Sequence, residues 1–159
     1  NVLEITPKTT FKSVHTKIKK WHDELAIKAL DDLNSSQNTI YYHLLSEPHQ
    51  IGLSIITPLC DSHSISREGI LMSHCVATFR DDVLAEKYVV FSIERQDERA
   101  TLGIQLKYRE DKTPFFVFSQ CFKYANSLVS DELIEDAIYF IFKLNNHPEM
   151  LLVKGSANI

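Results

Sequence analysis

The stretch from Tyr88 to Cys121 constrains the fold most, because it combines three strand-like runs with short polar turns. The runs are rich in β-branched and aromatic side chains, and the second alternates apolar with polar residues, which is typical of strands. They cover residues 88–93, 100–108 and 115–121. The turns between them, at 96–99 and 109–113, are short, so neighbouring strands should pair antiparallel. The pattern predicts an antiparallel meander.

Helical patterns lie on both sides of this meander in the sequence. Residues 7–34 carry an apolar stripe at spacings of three and four, with Thr9 or Thr10 as the N-cap. A second helix follows Ser130, which would cap it. The predicted buried stripe of this second helix consists of Leu133, Ile134, Ala137, Ile138, Ile141 and Leu144.

Two further strands and a helix pair fill the region between the first helix and the meander. Apolar runs at 39–45 and 50–59 predict strands. Residues 61–64 form a helix-start signal, in which Ser64 offers a capping arrangement, and a second helix is predicted over 76–87. In the first of these helices Ile65, Ile70 and Leu71 are predicted to face inward.

The order of these elements predicts an α+β domain. An antiparallel sheet of about four or five strands would be packed by the N- and C-terminal helices, with the helix pair inserted before the central meander. Residues 1–150 would form this single domain and residues 151–159 a C-terminal tail. Because the chain begins with Asn1 rather than Met, we expect that it can be a fragment of a longer protein.

Composition narrows the classes of function. The formal net charge of −4 argues against a chain that binds nucleic acid over its whole surface, although a local basic patch stays open. No apolar run approaches the roughly 18–20 residues of a membrane span, and the N-terminus lacks the apolar stretch of a signal peptide. The three cysteines, Cys60, Cys75 and Cys121, have no metal-type spacing and fit reduced thiols. We therefore predict a cytoplasmic protein with no membrane association.

Lysines cluster in the first half of the N-terminal helix. Besides Lys8, the cluster contains Lys12, Lys17, Lys19 and Lys20, which we take as candidate nucleic-acid-binding residues. One interpretation is a solvated helix face, and the other is a contact surface for nucleic acid or an acidic partner.

The adjacent pair His74-Cys75 is the best reactive candidate in the sequence. A thiol at a helix start gains thiolate character from the positive helix end. Adjacent helical residues point about 100° apart, so His74 is poorly placed to be the base for Cys75. We therefore expect Cys75 to pack inward as a small core thiol and His74 to turn toward Gln120 and Asn126, although a catalytic Cys75 stays open.

Gln120 and Asn126 complete the candidate catalytic set with His74 and Cys75. Their amides can donate and accept hydrogen bonds, which suits positioning a substrate or a phosphate-bearing group, or satisfying backbone groups at a strand end. No P-loop, dinucleotide-binding, zinc-protease or nucleophile-elbow motif occurs, and the histidines are scattered. The sequence therefore predicts no cofactor and no metal site.

Four segments in a fixed order form a broader signature. They are Ser13-Val14-His15 with Trp21-His22, residues 68–76 followed by Phe79, Val90–Ile93 followed by Ala100–Leu102, and Gln120 with Asn126. In these segments the chain resembles the PcfJ-like family, which is found on conjugative plasmids, phages and other bacterial mobile elements. The family pattern usually has an Arg where this chain has Glu94, an acidic residue in place of Gly103, and a Gly in place of Lys123.

The resemblance implies a mobile-element or phage-conflict context. We predict a cytoplasmic accessory domain that binds nucleic acid or a protein partner through a site around the His-Cys motif. The alternative is a hydrolase, nuclease-like or Cys-dependent, that uses the same residues, and a third reading is a purely structural interaction module. Whether the chain is an enzyme stays open at this point.

Overall fold

The computed structural model describes residues 10–31, 47–76 and 80–147. The chain divides by internal contacts into two compact units, Asn1–Gln37 and Asn38–Ile159. In the first unit helix α1 spans Phe11–Asp31. Its predicted cap is confirmed, because the Thr10 hydroxyl oxygen accepts a hydrogen bond from the Ser13 backbone N–H at 3.2 Å. The predicted strand at 39–45 and the predicted tail at 151–159 lie outside the described residues.

The second unit contains a five-stranded antiparallel sheet in the order β1-β2-β3-β4-β5. Its elements are β1 (His49–Ile51), β2 (Ser54–Pro58), α2 (Ser62–Met72), α3 (Arg80–Leu84), β3 (Tyr88–Arg95), β4 (Glu98–Tyr108), β5 (Pro114–Phe122), a 3₁₀ turn (Tyr124–Asn126) and α4 (Asp131–Asn146). The predicted α+β class, the meander and the position of the helix pair are confirmed. The single strand predicted at 50–59 is wrong, because Gly52 adopts φ 56° and reverses the chain between β1 and β2.

Strand β3 is buried on both faces, since all six consecutive residues from Tyr88 to Ile93 are buried. On one face Val89, Phe91 and Ile93 pack into a core that includes α4. On the other face Tyr88 and Val90 pack into a second core with residues of α2 and α3. The sheet therefore separates two hydrophobic cores, and the second core is the one next to the candidate site.

Helix α4 begins as predicted, with the Ser130 hydroxyl accepting a hydrogen bond from the Leu133 N–H at 3.3 Å. Its buried residues are Leu133, Ala137, Phe140, Ile141 and Leu144. The predicted burial of Ile138 is wrong, because the buried stripe is centred on the i, i+4, i+7 positions and takes Phe140 instead. Each large apolar side chain on this stripe contributes about 1.5–3 kcal/mol to folding.

Helix α2 is capped by Asp61 rather than by Ser64. The Asp61 carboxylate accepts from the Ser64 N–H at 2.8 Å, and the Ser64 hydroxyl accepts from the Asp61 N–H at 3.3 Å, which forms a capping box. Ile65 is buried as predicted, but Leu71 is exposed because Glu68 and Met72 occupy the inward face. The buried face of α2 therefore includes a carboxylate.

The second helix of the pair is shorter than the predicted span of 76–87. Among the described residues of that span, α3 covers Arg80–Leu84. Its continuation is prevented at Glu86, which adopts a left-handed φ of 57° that an α-helix cannot contain.

Candidate functional site

The carboxylate of Glu68 lies at the centre of the site, with 2% of the residue exposed. It follows Ile65 by three positions, so both side chains lie on the face of α2 that packs toward the sheet. One oxygen, Oε1, accepts from the Thr101 hydroxyl at 2.6 Å, and Oε2 accepts from Arg99 Nη2 at 2.5 Å. Arg99 and Thr101 are two residues apart on β4 and point to the same face. Both carboxylate oxygens are therefore paired, which offsets the cost of burying the charge.

His74 joins this carboxylate through Thr101. Helix α2 ends at Met72, its C-cap residue Ser73 is left-handed, and the His74 N–H donates back to the Gly69 carbonyl at 3.2 Å. The ring atom Nε2 then lies 2.8 Å from the Thr101 hydroxyl oxygen. Since the single hydroxyl proton of Thr101 goes to Glu68, Nε2 must carry a proton and donate it. In the neutral ring Nδ1 is then the acceptor.

The surroundings of His74 favour its neutral form. Burial lowers the pKa of His74 below its ordinary value, and the nearby Glu68 charge and a hydrogen bond of the ring with its own backbone oppose that effect only in part. Glu68, Arg99, Thr101 and His74 are called the carboxylate network from here on. The network fixes one tautomer of His74 and holds the end of α2 against β4.

Gln120 lies on the same face of the sheet as the network. It pairs with Gly103 across β4 and β5, and Gly103 is two residues from Thr101 on one strand. The side chain of Gln120 lies near the hydroxyl of Tyr88, and the His74 ring contacts Thr101. Burial raises the pKa of Tyr88, and the nearby polar side chains of Ser119 and Gln120 oppose that effect only in part.

The Tyr88 ring covers Gly103. A Cβ atom added at Gly103 would lie 1.8 Å from the Tyr88 hydroxyl oxygen and 2.6 Å from Cζ. The register between β4 and β5 shifts at Gly103 and Ile104, which leaves Ser119 as the extra residue of a bulge. The family resemblance leads one to expect an acidic side chain at position 103, and in this chain that space is filled by the tyrosine.

The other two predicted catalytic residues lie at the surface. Asn126 is exposed at the end of the 3₁₀ turn, with a left-handed φ of 58°. Cys75 is also exposed, so the expectation that it packs inward is wrong. The reason is that α2 has already ended at Met72, and Val76 takes the inward position next to Cys75. The structure therefore keeps His74 and Gln120 on one face of the sheet without a hydrogen bond between them.

A cleft of about 830 Å³ opens beside the β3–β4 hairpin. Its lining includes Met72, Arg95, Glu98, Arg99, Lys123 and Tyr124. Each of its three cations has a carboxylate partner: Arg95 contacts Asp136 at 3.2 Å, Arg99 contacts Glu68, and Lys123 contacts Glu98 at 3.1 Å. The positive charge of the cleft is therefore compensated within the protein.

Glu98 joins this cleft to the start of α4. Its carboxylate accepts hydrogen bonds from both the backbone N–H and the hydroxyl of Ser130. Burial acts to raise the pKa of Glu98, but the bonds from Ser130 and Lys123 outweigh it and hold the pKa below its ordinary value. The carboxylate thereby stays ionised at the N-terminal end of a helix, where a negative charge is favourable.

The lysines of α1 lie mostly on the side of the helix opposite its apolar stripe. Lys12, Lys17 and Lys20 are exposed, and Lys19 is half-buried and contacts Asp23 at 3.4 Å. At helical spacing Lys12, Lys19 and Lys20 lie away from the stripe that contains Ile18, Trp21 and Leu25, whereas Lys17, four residues before Trp21, lies at its edge. The first twelve residues of α1 contain these four lysines and no acidic residue. The four side chains of Lys12, Lys17, Lys19 and Lys20 are called the lysine face.

Comparisons with protein-family models, with curated proteins and with solved structures found no match. The PcfJ-like resemblance therefore stays a prediction. In the described ranges no group of three or more His, Cys, Asp or Glu side chains is placed to hold a metal ion. None of the helices in those same ranges has both the length and the apolar character that a membrane span requires.

Sequence reasoning missed Glu68, Arg99 and Thr101 as site residues. Glu68 and Thr101 are 33 positions apart, and their contact depends on which face of the sheet α2 covers. One local signal was available. Glu68 follows Ile65 by three positions, so it falls on the apolar face of a helix, where an acidic residue needs a buried partner.

The three cysteines are expected to react with iodoacetamide in the order Cys75, Cys60, Cys121. Cys75 is exposed, whereas burial, with smaller effects of Asp61 and Glu47, raises the pKa of the half-buried Cys60. Burial, followed by the charge of Glu98, raises the pKa of Cys121 to about 12, so its reactive thiolate is almost absent near neutral pH. Peptide mass spectrometry over a time course measures the three rates. Labelling of Cys121 before Cys75 in the native protein would contradict the arrangement.

Proposed function

We propose that this chain is a nucleic-acid-binding accessory domain that contacts the phosphate backbone through the lysine face of α1. The observation that carries the proposal is the grouping of four lysines, without an acid, in the first half of one helix. Phosphate contacts by lysine provide most of the affinity of sequence-independent binding. The PcfJ-like resemblance supports a setting in a bacterial mobile element or a phage-conflict system.

The charge distribution supports the same proposal. Helix α1 contains five lysines and three acidic residues, so its formal charge is +2, and the remainder of the 159-residue chain carries −6. The positive end of the α1 dipole lies beside the lysine face and adds to its potential. A nucleic acid would therefore be attracted to α1 and repelled by most of the remaining surface.

The carboxylate network has a supporting role in this proposal. Arg99 is paired with Glu68, and the other cations of the cleft are also paired with carboxylates. The cleft therefore offers no excess positive charge for a phosphate. The surface next to His74 and Cys75 would then be a separate contact within the second unit, and the network would hold its shape.

The test is a comparison of two double variants in binding to fluorescent DNA and RNA oligonucleotides over a series of salt concentrations. Lys12→Gln with Lys17→Gln should weaken binding about tenfold and reduce the slope of log Kd against log salt by about 1–2, because each lost phosphate contact removes about 0.9 from it. The matched control, Lys87→Gln with Lys107→Gln, removes the same charge from exposed positions in the second unit and should bind like the natural chain. Equal losses in both variants, or an affinity that is absent or independent of salt, would exclude the proposal.

The alternative function is a hydrolase in which His74 acts as a general base. It is favoured by the neutral ring of His74, whose Nε2 is held by Thr101 so that Nδ1 is the acceptor. Two features weigh against it: the Gln120 side chain has no hydrogen bond to His74 and lies near Tyr88, and Asn126 lies on an exposed turn. The same oligonucleotides distinguish the two functions. If the natural chain cleaves these oligonucleotides and His74→Asn does not, the chain is a hydrolase and the binding proposal is wrong. For a Cys-dependent reaction, the variant that loses cleavage is Cys75→Ser.

A further inference from the structure

Helix α4 exposes an apolar stripe on the side that faces away from the sheet. Ile138 and Tyr139 are each 52% exposed, and Phe142 is 58% exposed. The Tyr139 and Phe142 rings are stacked with their centroids 6.2 Å apart, so they form one continuous surface. With Glu135 these three residues line a shallow groove of about 440 Å³. We call Glu135, Ile138, Tyr139, Phe142 and Lys143 the α4 stripe.

The stripe is much more apolar than the rest of the outer surface of α4. Burying large apolar side chains such as these stabilises an association, whereas leaving them together in water is unfavourable. On the opposite side of the helix, Leu133, Ala137 and Phe140 already fill the core against the sheet. The stripe is therefore not needed for folding of the sheet core, and its composition suits a second apolar surface.

The charges of the stripe show what kind of surface fits it. Glu135 lies four residues before Tyr139, and Lys143 lies four residues after it, with its Nζ 5.6 Å from the centre of the Tyr139 ring. The N-terminal half of α4 also contains Asp131 and Glu132, whereas Lys143 is the charged residue of its last turn. One end of the stripe is thus negative and the other end positive, with the apolar residues between them.

This arrangement is complementary to itself when two copies are antiparallel. In a two-fold symmetric pair centred near Tyr139, Glu135 of each copy would face Lys143 of the other. The dipoles of two antiparallel helices would also point in opposite directions, which is a favourable arrangement. A parallel pair would instead place Glu135 against Glu135 and Lys143 against Lys143, which is unfavourable.

We propose that the α4 stripe is a self-association surface, through which two copies of this chain form an antiparallel, two-fold symmetric helix pair. The proposal is independent of the nucleic-acid function. Three apolar side chains from each copy form a surface at the small end of the range for specific interfaces. The dimer is therefore weak, and its population should depend on concentration in the micromolar range.

Sedimentation equilibrium of the full chain over a range of concentrations tests the proposal. The natural chain should show a monomer–dimer equilibrium, and Phe142→Glu should raise the dimer Kd at least about 30-fold, because it places a charge among the apolar side chains of the interface. The matched control is Leu84→Glu, which introduces the same charge at a residue that is 48% exposed and belongs to α3. It should leave the equilibrium unchanged. A chain that stays monomeric, or a dimer that responds equally to both substitutions, overturns the proposal.

Charge exchange tests the antiparallel geometry without introducing a charge into the apolar centre. Glu135→Lys and Lys143→Glu should each weaken self-association roughly tenfold, because each variant creates two like-charge contacts in its own dimer. An equimolar mixture of the two variants should associate again, since every pair in the mixed dimer is then attractive. The double variant E135K/K143E should also dimerise like the natural chain. Failure of both the mixture and the double variant to restore the dimer would overturn the pairing, and another occupant would then have to cover the stripe.

Discussion

Replacing Glu68 with alanine is expected to lower the free energy of unfolding by about 3 kcal/mol, the largest effect of any single polar side chain in the network. The carboxylate is buried and accepts from both Arg99 and Thr101, so its removal leaves two donors without their acceptor. The value lies at the lower end of the range for broken buried pairs because the Arg99 side chain is 39% exposed and can be hydrated. Urea unfolding, monitored by circular dichroism, measures the difference.

A matched control is provided by Glu94, the second carboxylate near Arg99. Its oxygen lies 3.7 Å from Arg99 Nε, but its side chain is 55% exposed, so Glu94→Ala should cost about 0.5 kcal/mol or less.

The Glu68 variant should also lower the pKa of His74 further, since the Glu68 charge raises it in the native protein. An NMR titration of the His74 ring measures that shift. Equal destabilisation by the two substitutions, with the pKa of His74 unchanged, would show that the side chains of the network are not energetically coupled.

Gly103→Ala should destabilise the protein by about 2–3 kcal/mol, although alanine is a small residue. The added methyl group would lie 1.8 Å from the Tyr88 hydroxyl oxygen and 2.6 Å from Cζ, distances that require the ring to move. Tyr88 is 3% exposed and packs in the core beside α2 and α3, so it has little space to move. Thermal and urea unfolding both measure this loss.

Removing the Tyr88 hydroxyl tests the origin of the effect. Tyr88→Phe eliminates the nearest atom but keeps Cζ, so it should recover part of the stability lost in Gly103→Ala. A double-mutant cycle gives the coupling energy between the two positions, which we expect to be about 1 kcal/mol. A coupling near zero would mean that the cost of the alanine arises from the β4–β5 bulge and not from the ring.

The parts of the fold that the sequence predicts are those defined by local patterns. The meander follows from runs of β-branched and aromatic residues joined by short turns, and the start of α4 follows from Ser130 as its cap. The β1–β2 hairpin was missed because Gly52 lies within an apolar run, where a lone glycine signals a turn only once its φ is known.

The candidate site was predicted less well because its contacts are distant in sequence. The local motif singled out His74, but its partner Thr101 is on β4, and Thr101 in turn contacts Glu68 of α2. Cys75 was misplaced for a local reason: it was expected at the start of the second helix of the pair, whereas it follows the end of α2, which is Met72 with Ser73 as its C-cap. The lysine face was predictable because it depends only on the periodicity of one helix.

Burial of both faces of β3 has a consequence for how the second unit unfolds. Phe91 belongs to the core beside α4, whereas its neighbour Val90 belongs to the core beside α2 and α3. Neither core can separate from the sheet without exposing part of the same strand. The two cores should therefore melt in a single cooperative transition, and the amide protons of β3 should exchange with solvent only through that global opening. A substitution of Glu68 that lowers the free energy of unfolding would then lower the exchange protection of α4, on the far side of the sheet, by the same amount.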